Sequence, residues 1–486
     1  MDLIVWDDFM DHQKKTVQFI QQRKLIFNTS EAGTGKTIPV LFAFSEWLRA
    51  GNKGRLIVFC PLSICYASWV SDATKVCPWL RTSVALSNNR RKAFKEKADI
   101  YITNHEAIKW IDAEHNKFNL DDEPLTYIFN NDWLVIDEST AFKHQTSQRS
   151  QSMLNLTKRT LFNKKILMTG TPTPNGIRDI FHQLLILDHG IALGVNPHTF
   201  KNTYCYTEQV RRGLSTYPHV TDMPDAVERI NAKINHLNIS FSAAECLDLP
   251  ENNKIYMEVS LSKQLRDQYN EMLRTSILEL ESGLISASKA NIVGQKLLQI
   301  LTGSVYDADK VIHHLHSERY ELVCDLVEQR KFPCLVACNY AHEINNLITL
   351  AKKRKITHNF IDGSVSGKKR GEIVQLTQDG QYQMLICQVK ATSHGLTLTT
   401  CKSVIWMSPT WNCEHYEQFN KRIDRKGQTV KTETIMISAK NTKEKEVYSR
   451  LLQKKKSMET LLELLGTDTK CKRELKEAPE NANSKY

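Results

Sequence analysis

Short apolar runs, separated by longer stretches in which apolar residues recur every three or four positions, dominate two parts of the chain. That rhythm of strand, helix and strand predicts parallel α/β units. In residues 1–187 the expected strands are 25–28, 56–60, 100–103, 133–136 and 165–168. In residues 318–465 they are 334–338, 358–361, 384–388, 403–407 and 433–437. Most end in a polar or glycine-containing turn, and ligands of open α/β sheets gather at the carboxyl ends of strands. Two such edges are therefore expected.

Residues 188–317 break the rhythm. Tyr204-Cys205-Tyr206 opens a polar stretch, and 254–259 alternates as a half-exposed strand does. Residues 260–280 and 286–301 read as helices, with Ser260 and Ser286 available as N-caps. A largely helical insert and connector is expected over 188–317. Over 466–486 charge and asparagine replace apolar periodicity, which predicts a tail without fixed structure.

With 486 residues, 41% of them hydrophobic and 24% charged, the chain has a globular composition and room for about three domains. It has no 18-residue apolar run, and Asp2, Asp7 and Asp8 stand where a basic leader would lie. Neither a secretory signal nor a membrane span is expected. The twelve cysteines are scattered without a C-x-x-C pair, which suits reduced, buried thiols in a cytoplasmic setting (host cytoplasm if viral). A formal net charge of +11 fits a polyanionic partner, but it becomes informative only beside a nucleotide site. No cysteine or carboxylate joins His313, His314 and His316 at ligand spacing, so a polar connector is expected there. Lys454, Lys455 and Lys456 read as a solvated helix end, and Trp6, Trp47 and Trp79 as packing.

Candidate chemistry begins at Ser30-Glu31-Ala32-Gly33-Thr34-Gly35-Lys36-Thr37, between an apolar strand and an apolar helix. Gly33 and Gly35 let backbone wrap an anion, with amides of the turn and of the helix N-terminus facing the phosphates. Thr34 belongs to the same loop. Lys36 is placed to reach the β- and γ-phosphates of ATP and the Thr37 hydroxyl to ligate Mg²⁺. Pro39 falls in the first helical turn, where a missing N–H costs little. Ser30 replaces the first glycine of the usual pattern.

Three further elements follow. Asp137 and Glu138 end an apolar strand; Asp137 suits the Mg²⁺ shell, and Glu138 suits orientation of the attacking water. Thr169-Gly170-Thr171-Pro172 offers small hydroxyl residues that can sense the γ-phosphate. In the run from Gln418 to Gln428, Arg422 and Arg425 are three apart, so on a helix they face one way. Two planar guanidinium forks aimed at one phosphate would serve as arginine fingers. A solvated basic helix is the alternative.

In this order the elements resemble the superfamily 2 helicases, and among them the Swi/Snf-like DNA translocases. Phe9 and Gln13 resemble the element that reads adenine, and Leu56-Ile57-Val58-Phe59-Cys60-Pro61 with Trp69 resembles motif Ia. Asp99 to Glu106 resembles a strand and turn that touch the tracked DNA strand. Thr169 to Pro172 with Asn175 resembles motif III, and Ile361-Asp362-Gly363 with Arg370 resembles the D-G turn. Pro409-Thr410-Trp411-Asn412 and the Q-x-x-x-R-x-x-R-x-G-Q run are the most family-specific matches. Motif V departs from the family pattern, reading Ala391-Thr392-Ser393-His394-Gly395-Leu396-Thr397-Leu398, and the acidic motif reads Asp-Glu-Ser-Thr.

The resemblance implies two RecA-like parallel-sheet lobes in tandem, with a mainly helical insert between them. ATP and Mg²⁺ would be held by lobe one and served by arginines from lobe two. It implies catalytic roles for Lys36, Asp137, Glu138, Arg422 and Arg425, and nucleotide contacts from the P-loop, Phe9, Gln13, Gly395 and Gln418. Nucleic-acid contacts would come from Ser63, Asn104, His105, Gly363, Ser393, Trp411 and Asn412. The expected activity is ATP-driven movement of a monomer along duplex, forked or branched DNA of any sequence, as in the compact phage and bacterial members. A strand-separating helicase on RNA or DNA is a second reading, and a nucleotide-gated binder without turnover a third.

Overall fold

The computed structural model describes residues 3–116, 129, 131–212, 215–246, 250–281, 296–306, 311–392, 397–425 and 427–474. Two compact units divide it. One comprises Met1–Tyr206, Asp222–Leu247 and Lys456–Tyr486; the other comprises Thr207–Thr221 and Asp248–Lys455.

The strands in chain order are β1 (Leu25–Asn28), β2 (Leu56–Cys60), β3 (Thr82–Ala85), β4 (Ile100–Asn104), β5 (Trp133–Asp137), β6 (Lys164–Met168), β7 (Cys205–Arg212), β8 (Ser215–Asp222) and β9 (Asn238–Ile239). There follow β10 (Asn252–Val259), β11 (Ser304–Tyr306), β12 (Ile312–His314), β13 (Cys334–Cys338), β14 (His358–Ile361), β15 (Met384–Gln388), β16 (Ser403–Trp406) and β17 (Thr432–Ala439).

The first unit is built on the sheet β3-β4-β2-β5-β6-β1-β9, in which every pairing is parallel. Its central strands β2, β5 and β6 are buried at every position. Helices cover both faces of such sheets, which is why these strands read as unbroken apolar runs. Ile26, Val58, Val135 and Ile166 form a core with Val40 and Phe44 of helix Thr37–Arg49 and with Val17 and Ile20 of helix Asp11–Gln22. The register matters most for function. Asn28 pairs with Met168, and Met168 with Asp137, so β1, β6 and β5 end level and their following turns form one row.

The second unit has the order β10-β17-β16-β13-β15-β14, again all parallel. Val336, Ile386, Ile405 and Ile435 form its core with Val323 and Leu347 from flanking helices. Arg319 and Glu444 are buried beneath it, joined by two hydrogen bonds of 3.0 and 2.6 Å. Arg319 also donates to the Met407 carbonyl after β16, and Glu444 accepts from the Ala439 amide ending β17.

All ten strands expected from the apolar runs are present, within two residues at each end. The stretch 188–317 carries helices, among them Pro197–Tyr204, Ala226–Ile234 and Lys263–Glu281. It also supplies an edge strand to each sheet, β9 to the first and β10 to the second. By compactness it divides between the two units. The final helix runs from Lys443 to Glu474, past the point where structure was expected to stop; 475–486 lie outside the described residues. His313 and His314 lie in β12, and no cluster of three or more His, Cys, Asp or Glu side chains that could hold a metal ion is found among the described residues. No described helix is long and apolar enough to cross a membrane.

Removing one member of a buried ion pair strands the other in a low-dielectric setting. Glu444→Ala is therefore expected to destabilise the second unit by about 3–5 kcal/mol. The double change Arg319→Met, Glu444→Leu should recover most of that loss. Denaturant unfolding of both variants checks this; equal loss in the two would show that the pairing itself is not what matters.

Candidate functional site

The turn after β1 folds as a phosphate loop should. Gly33 and Gly35 adopt φ of 92° and 73°, the left-handed region that glycine reaches without Cβ strain. The loop's first half continues the strand. Phe27, Thr29 and Glu31 donate their amides to the carbonyls of Leu237, Ile239 and Phe241 at 2.8–2.9 Å. The Phe241 amide donates in return to Ser30 Oγ at 3.2 Å. This pairing accounts for Ser30, since an extended residue with a hydroxyl to offer replaces the usual glycine. Sequence spacing gave no sign of it, because the partner lies 211 residues away.

Lys36 Nζ donates to the carbonyls of Ser30 (2.7 Å) and Glu31 (3.0 Å), so its ammonium crosses the loop. Gln13 is buried, and its amide reaches the Gly35 carbonyl at 3.4 Å. Its Oε1 accepts from the Met10 amide, closing the start of its own helix. His12, which the sequence reading passed over, holds the Thr34 carbonyl at 2.8 Å. Phe9 packs edge-on against Phe42 and beside Trp6. Phe9 and Gln13 therefore both stand against the P-loop and its helix.

Asp137 is buried at the end of β5. Burial pushes its carboxyl above the ordinary aspartate range, opposed by the nearby Lys36 charge, the Trp69 indole N–H and the Glu138 amide. The indole bond is 2.9 Å and the amide bond 3.0 Å. Trp69 belongs to a π-helical turn, Cys65–Val70, whose Ser68 lies 3.4 Å from the Thr37 hydroxyl. Consecutive residues of one turn thus hold Thr37 and Asp137, the two groups expected at Mg²⁺. The donor set fits that ion, which takes one or two carboxylates with phosphate oxygens and water rather than a cage of protein ligands.

Glu138 adopts φ 52°, so the backbone reverses immediately after Asp137. Thr169 Oγ1 lies 3.5 Å from Glu138 Oε2, at the limit of a hydrogen bond, and 2.6 Å from the Thr140 hydroxyl. Thr140 also donates to the Thr171 carbonyl, and Ser139 to Gln183 Oε1. The two turns are tied by hydroxyl groups. Gly170 has a different reason to be glycine: a Cβ there would lie 2.8 Å from the Ala32 amide nitrogen of the P-loop.

The expected nucleic-acid residues are placed unevenly. Ser63 is half-buried after β2, next to exposed Leu62. Asn104 is half-buried at the end of β4, accepting from Arg90. His105 is buried, and its ring bonds the Asp137 carbonyl at 2.7 Å; burial lowers its pKa to about 4. A side chain so enclosed is not presented to a surface ligand. Its place is behind the carboxylates. In the second unit Gly363 is exposed, and Arg370 reaches back to the Asp362 carbonyl. Trp411 is 48% exposed, whereas Asn412 caps helix Cys413–Asn420 by accepting from the His415 amide. Ser393 and Gly395 lie outside the described residues.

That helix ends at Asn420, so Arg422 and Arg425 lie in the turns after it and not on a common helical face. The solvated-helix alternative fails for Arg422, which is buried and whose charge, like that of Arg370, acts to lower the pKa of Cys387 in β15. Arg425 is half-buried and donates to the Lys421 carbonyl and the Thr397 hydroxyl. Gln418 is buried, its amide directed to Glu414. Gln428 ties the turns together by donating to the carbonyls of Ile423, Thr399 and Cys401. Lys455, expected in solvent, forms a largely enclosed ion pair with Glu417 at 2.7 Å.

Comparison with known proteins finds an SNF2-related domain over residues 12–304 and a helicase conserved C-terminal domain over 318–427. The putative protein p41 of Acyrthosiphon pisum secondary endosymbiont phage 1 is 24% identical over 460 residues, 89% of this chain and 93% of p41. The uncharacterized ATP-dependent helicase YqhH of Bacillus subtilis is 22% identical, with 92% of this chain and 78% of YqhH covered. The chromodomain-helicase-DNA-binding protein 1-like of Danio rerio is 22% identical across 89% of this chain but only 41% of its own length. Among solved structures, the Sulfolobus solfataricus SWI2/SNF2 ATPase core in complex with dsDNA is similar at 18% identity and a TM-score of 0.40, with 98% and 97% of the chains covered.

The approach of Gly170 to Ala32 makes a direct test of the row of turns. Overpacking costs about 1–3 kcal/mol, so Gly170→Ala is expected to weaken binding of a fluorescent ATP analogue about 5- to 150-fold while the fold persists. Unchanged affinity would show that the P-loop yields freely.

Proposed function

Because the chain belongs to the SNF2-related family and carries its paired helicase domains, we propose that it is an ATP-driven motor that moves along duplex or forked DNA. On this reading it remodels or branch-migrates DNA junctions in replication, recombination or repair, acting as a monomer in the cytoplasm (of the host, if viral). The observation that carries the proposal is the level ending of β1, β5 and β6, which sets a lysine, two carboxylates and a threonine pair along one sheet edge.

In this reading Lys36 neutralises the β- and γ-phosphates, and Thr37 and Asp137 are the residues that would hold Mg²⁺. Bound there, the ion would supply positive charge to offset that of the phosphates. Glu138 orients the attacking water. The carboxyl end of Glu138 is linked through Thr169 and Thr140 to the turn 169–172, so a change at the phosphate is felt there. Arg422 and Arg425 neutralise charge that develops on the transferred phosphoryl group. Phosphate-backbone contacts carry little sequence information, so stimulation by DNA of any sequence and steep salt dependence follow.

Lys36→Ala is expected to abolish turnover. Arg422→Ala or Arg425→Ala should leave nucleotide binding measurable while turnover falls by about 10³–10⁵. Steady-state ATPase assays beside nucleotide titrations separate the two effects, and normal turnover in Lys36→Ala would remove the P-loop assignment. The substrate assignment is tested by comparing ATPase stimulation with duplex DNA, forked DNA, single-stranded DNA and RNA. Duplex or forked DNA should stimulate most; a preference for RNA would overturn it.

A further inference from the structure

A cavity of about 470 Å³ opens in the first unit between residues 143–146, 175–182 and 197–201, and none of the P-loop, Asp137, Glu138 or Thr169 lines it. Three cationic side chains do: Lys143, Arg178 and Lys201. Arg178 and Lys201 take part in no ion pair among the described residues, and Arg178 is exposed. The one carboxylate in the lining, Asp179, is buried and already accepts from the Asn175 amide (2.8 Å) and side chain (3.1 Å). Two helices, Arg178–Asp188 and Pro197–Tyr204, line the cavity with their first turns, and the positive ends of their dipoles add to the field there.

We propose that this cavity is a second phosphate site, separate from the P-loop, which binds a phosphate ester. Arg178 and Lys201, in no ion pair among the described residues, stand beside one carboxylate that is already engaged, an arrangement that suits the negative charge of a phosphate ester. The volume exceeds what a bare phosphate fills and lies in the range of sites for small organic ligands. Phe181 and Phe200, packed at 5.0 Å between ring centroids, form an apolar floor for the organic part. The walls issue from the hydroxyl-linked turns. Lys143 follows the segment Ser139–Phe142, Asn175 follows Thr171 by four residues, and His182 bonds the Phe142 carbonyl at 2.8 Å. The same chemistry is offered by two sources, the backbone or end of a nucleic acid and a free phosphorylated metabolite.

The test uses the full chain carrying Lys36→Ala, which disables the P-loop, and titrates it with pyrophosphate by calorimetry at low salt. Saturable one-to-one binding is expected, weakened at least about tenfold when Arg178→Ala and Lys201→Ala are added. The control pair Lys53→Ala and Lys158→Ala, on exposed surface away from the cavity, should leave it unchanged. Should the alanine pair unfold, the charge-conserving pair Arg178→Lys and Lys201→Arg keeps the test open, since it must retain binding that Arg178→Gln alone weakens. Absence of saturable binding, or equal weakening in the control pair, would overturn the proposal. A 5′-phosphorylated oligonucleotide that displaces pyrophosphate, where its unphosphorylated form and glucose 6-phosphate do not, supports the site and assigns it to a nucleic-acid end. Displacement by glucose 6-phosphate alone supports it with a free ester as ligand.

Discussion

A carboxylate has to be kept ionisable in the interior of a sheet, and much of the first unit is arranged around that requirement. Asp137 is buried where water cannot solvate its charge, a position whose cost in a protein interior is several kcal/mol unless hydrogen bonds and a counter-charge offset it. The Trp69 indole and the Glu138 amide supply the bonds, and Lys36 supplies the charge. Each of those groups is fixed by a separate device. Trp69 is delivered by a π-helical turn, a form that recurs at functional sites because it displaces side chains from ordinary helical spacing. The Glu138 amide is turned back by a left-handed backbone, which a non-glycine residue adopts at a cost of about 1–2 kcal/mol. Lys36 is held across its own loop by two carbonyls.

These devices work together only because three strands end level. A slip of one residue between β5 and β6 would turn Asp137 to the opposite face of the sheet and separate Thr169 from Thr140. The close approach of Gly170 to the Ala32 amide then closes the row from the other side. The P-loop is consequently bounded on both flanks, by β6's following turn and by the 237–241 segment that extends its strand pairing. That segment belongs to the stretch Asp222–Leu247, the last part of the first unit before the long run of the second from Asp248, so the phosphate loop is bonded to chain that leads on into the next unit.

The legible parts of this arrangement are those with a local signature. Central parallel strands are buried on both faces, so β2, β5, β6, β13 and β16 announced themselves as apolar runs. β3, with the sequence Thr-Ser-Val-Ala and alternate burial, did not, and neither did the two residues of β9. The glycine conformations of the P-loop were readable from residue type alone. Long-range bonds were not: nothing in the composition around Ser30 points to Phe241, and nothing around His105 indicates that its ring would bond Asp137's carbonyl rather than meet solvent. The two arginines were placed on a helix by their spacing, but the capped helix is short. Gln428 then gathers the following turns through three carbonyls, a tertiary constraint that overrides helical periodicity.

That constraint prepares the two arginines differently. Arg422 is enclosed, and its charge, like that of Arg370, acts on the buried Cys387 thiol. Arg425 is half-buried and tethered to Thr397, at the edge of the 393–396 segment that departs from the usual motif V. A ligand engaging the Thr397 hydroxyl would compete for that hydrogen bond, while the bond of Arg425 to the Lys421 carbonyl is made within its own turn.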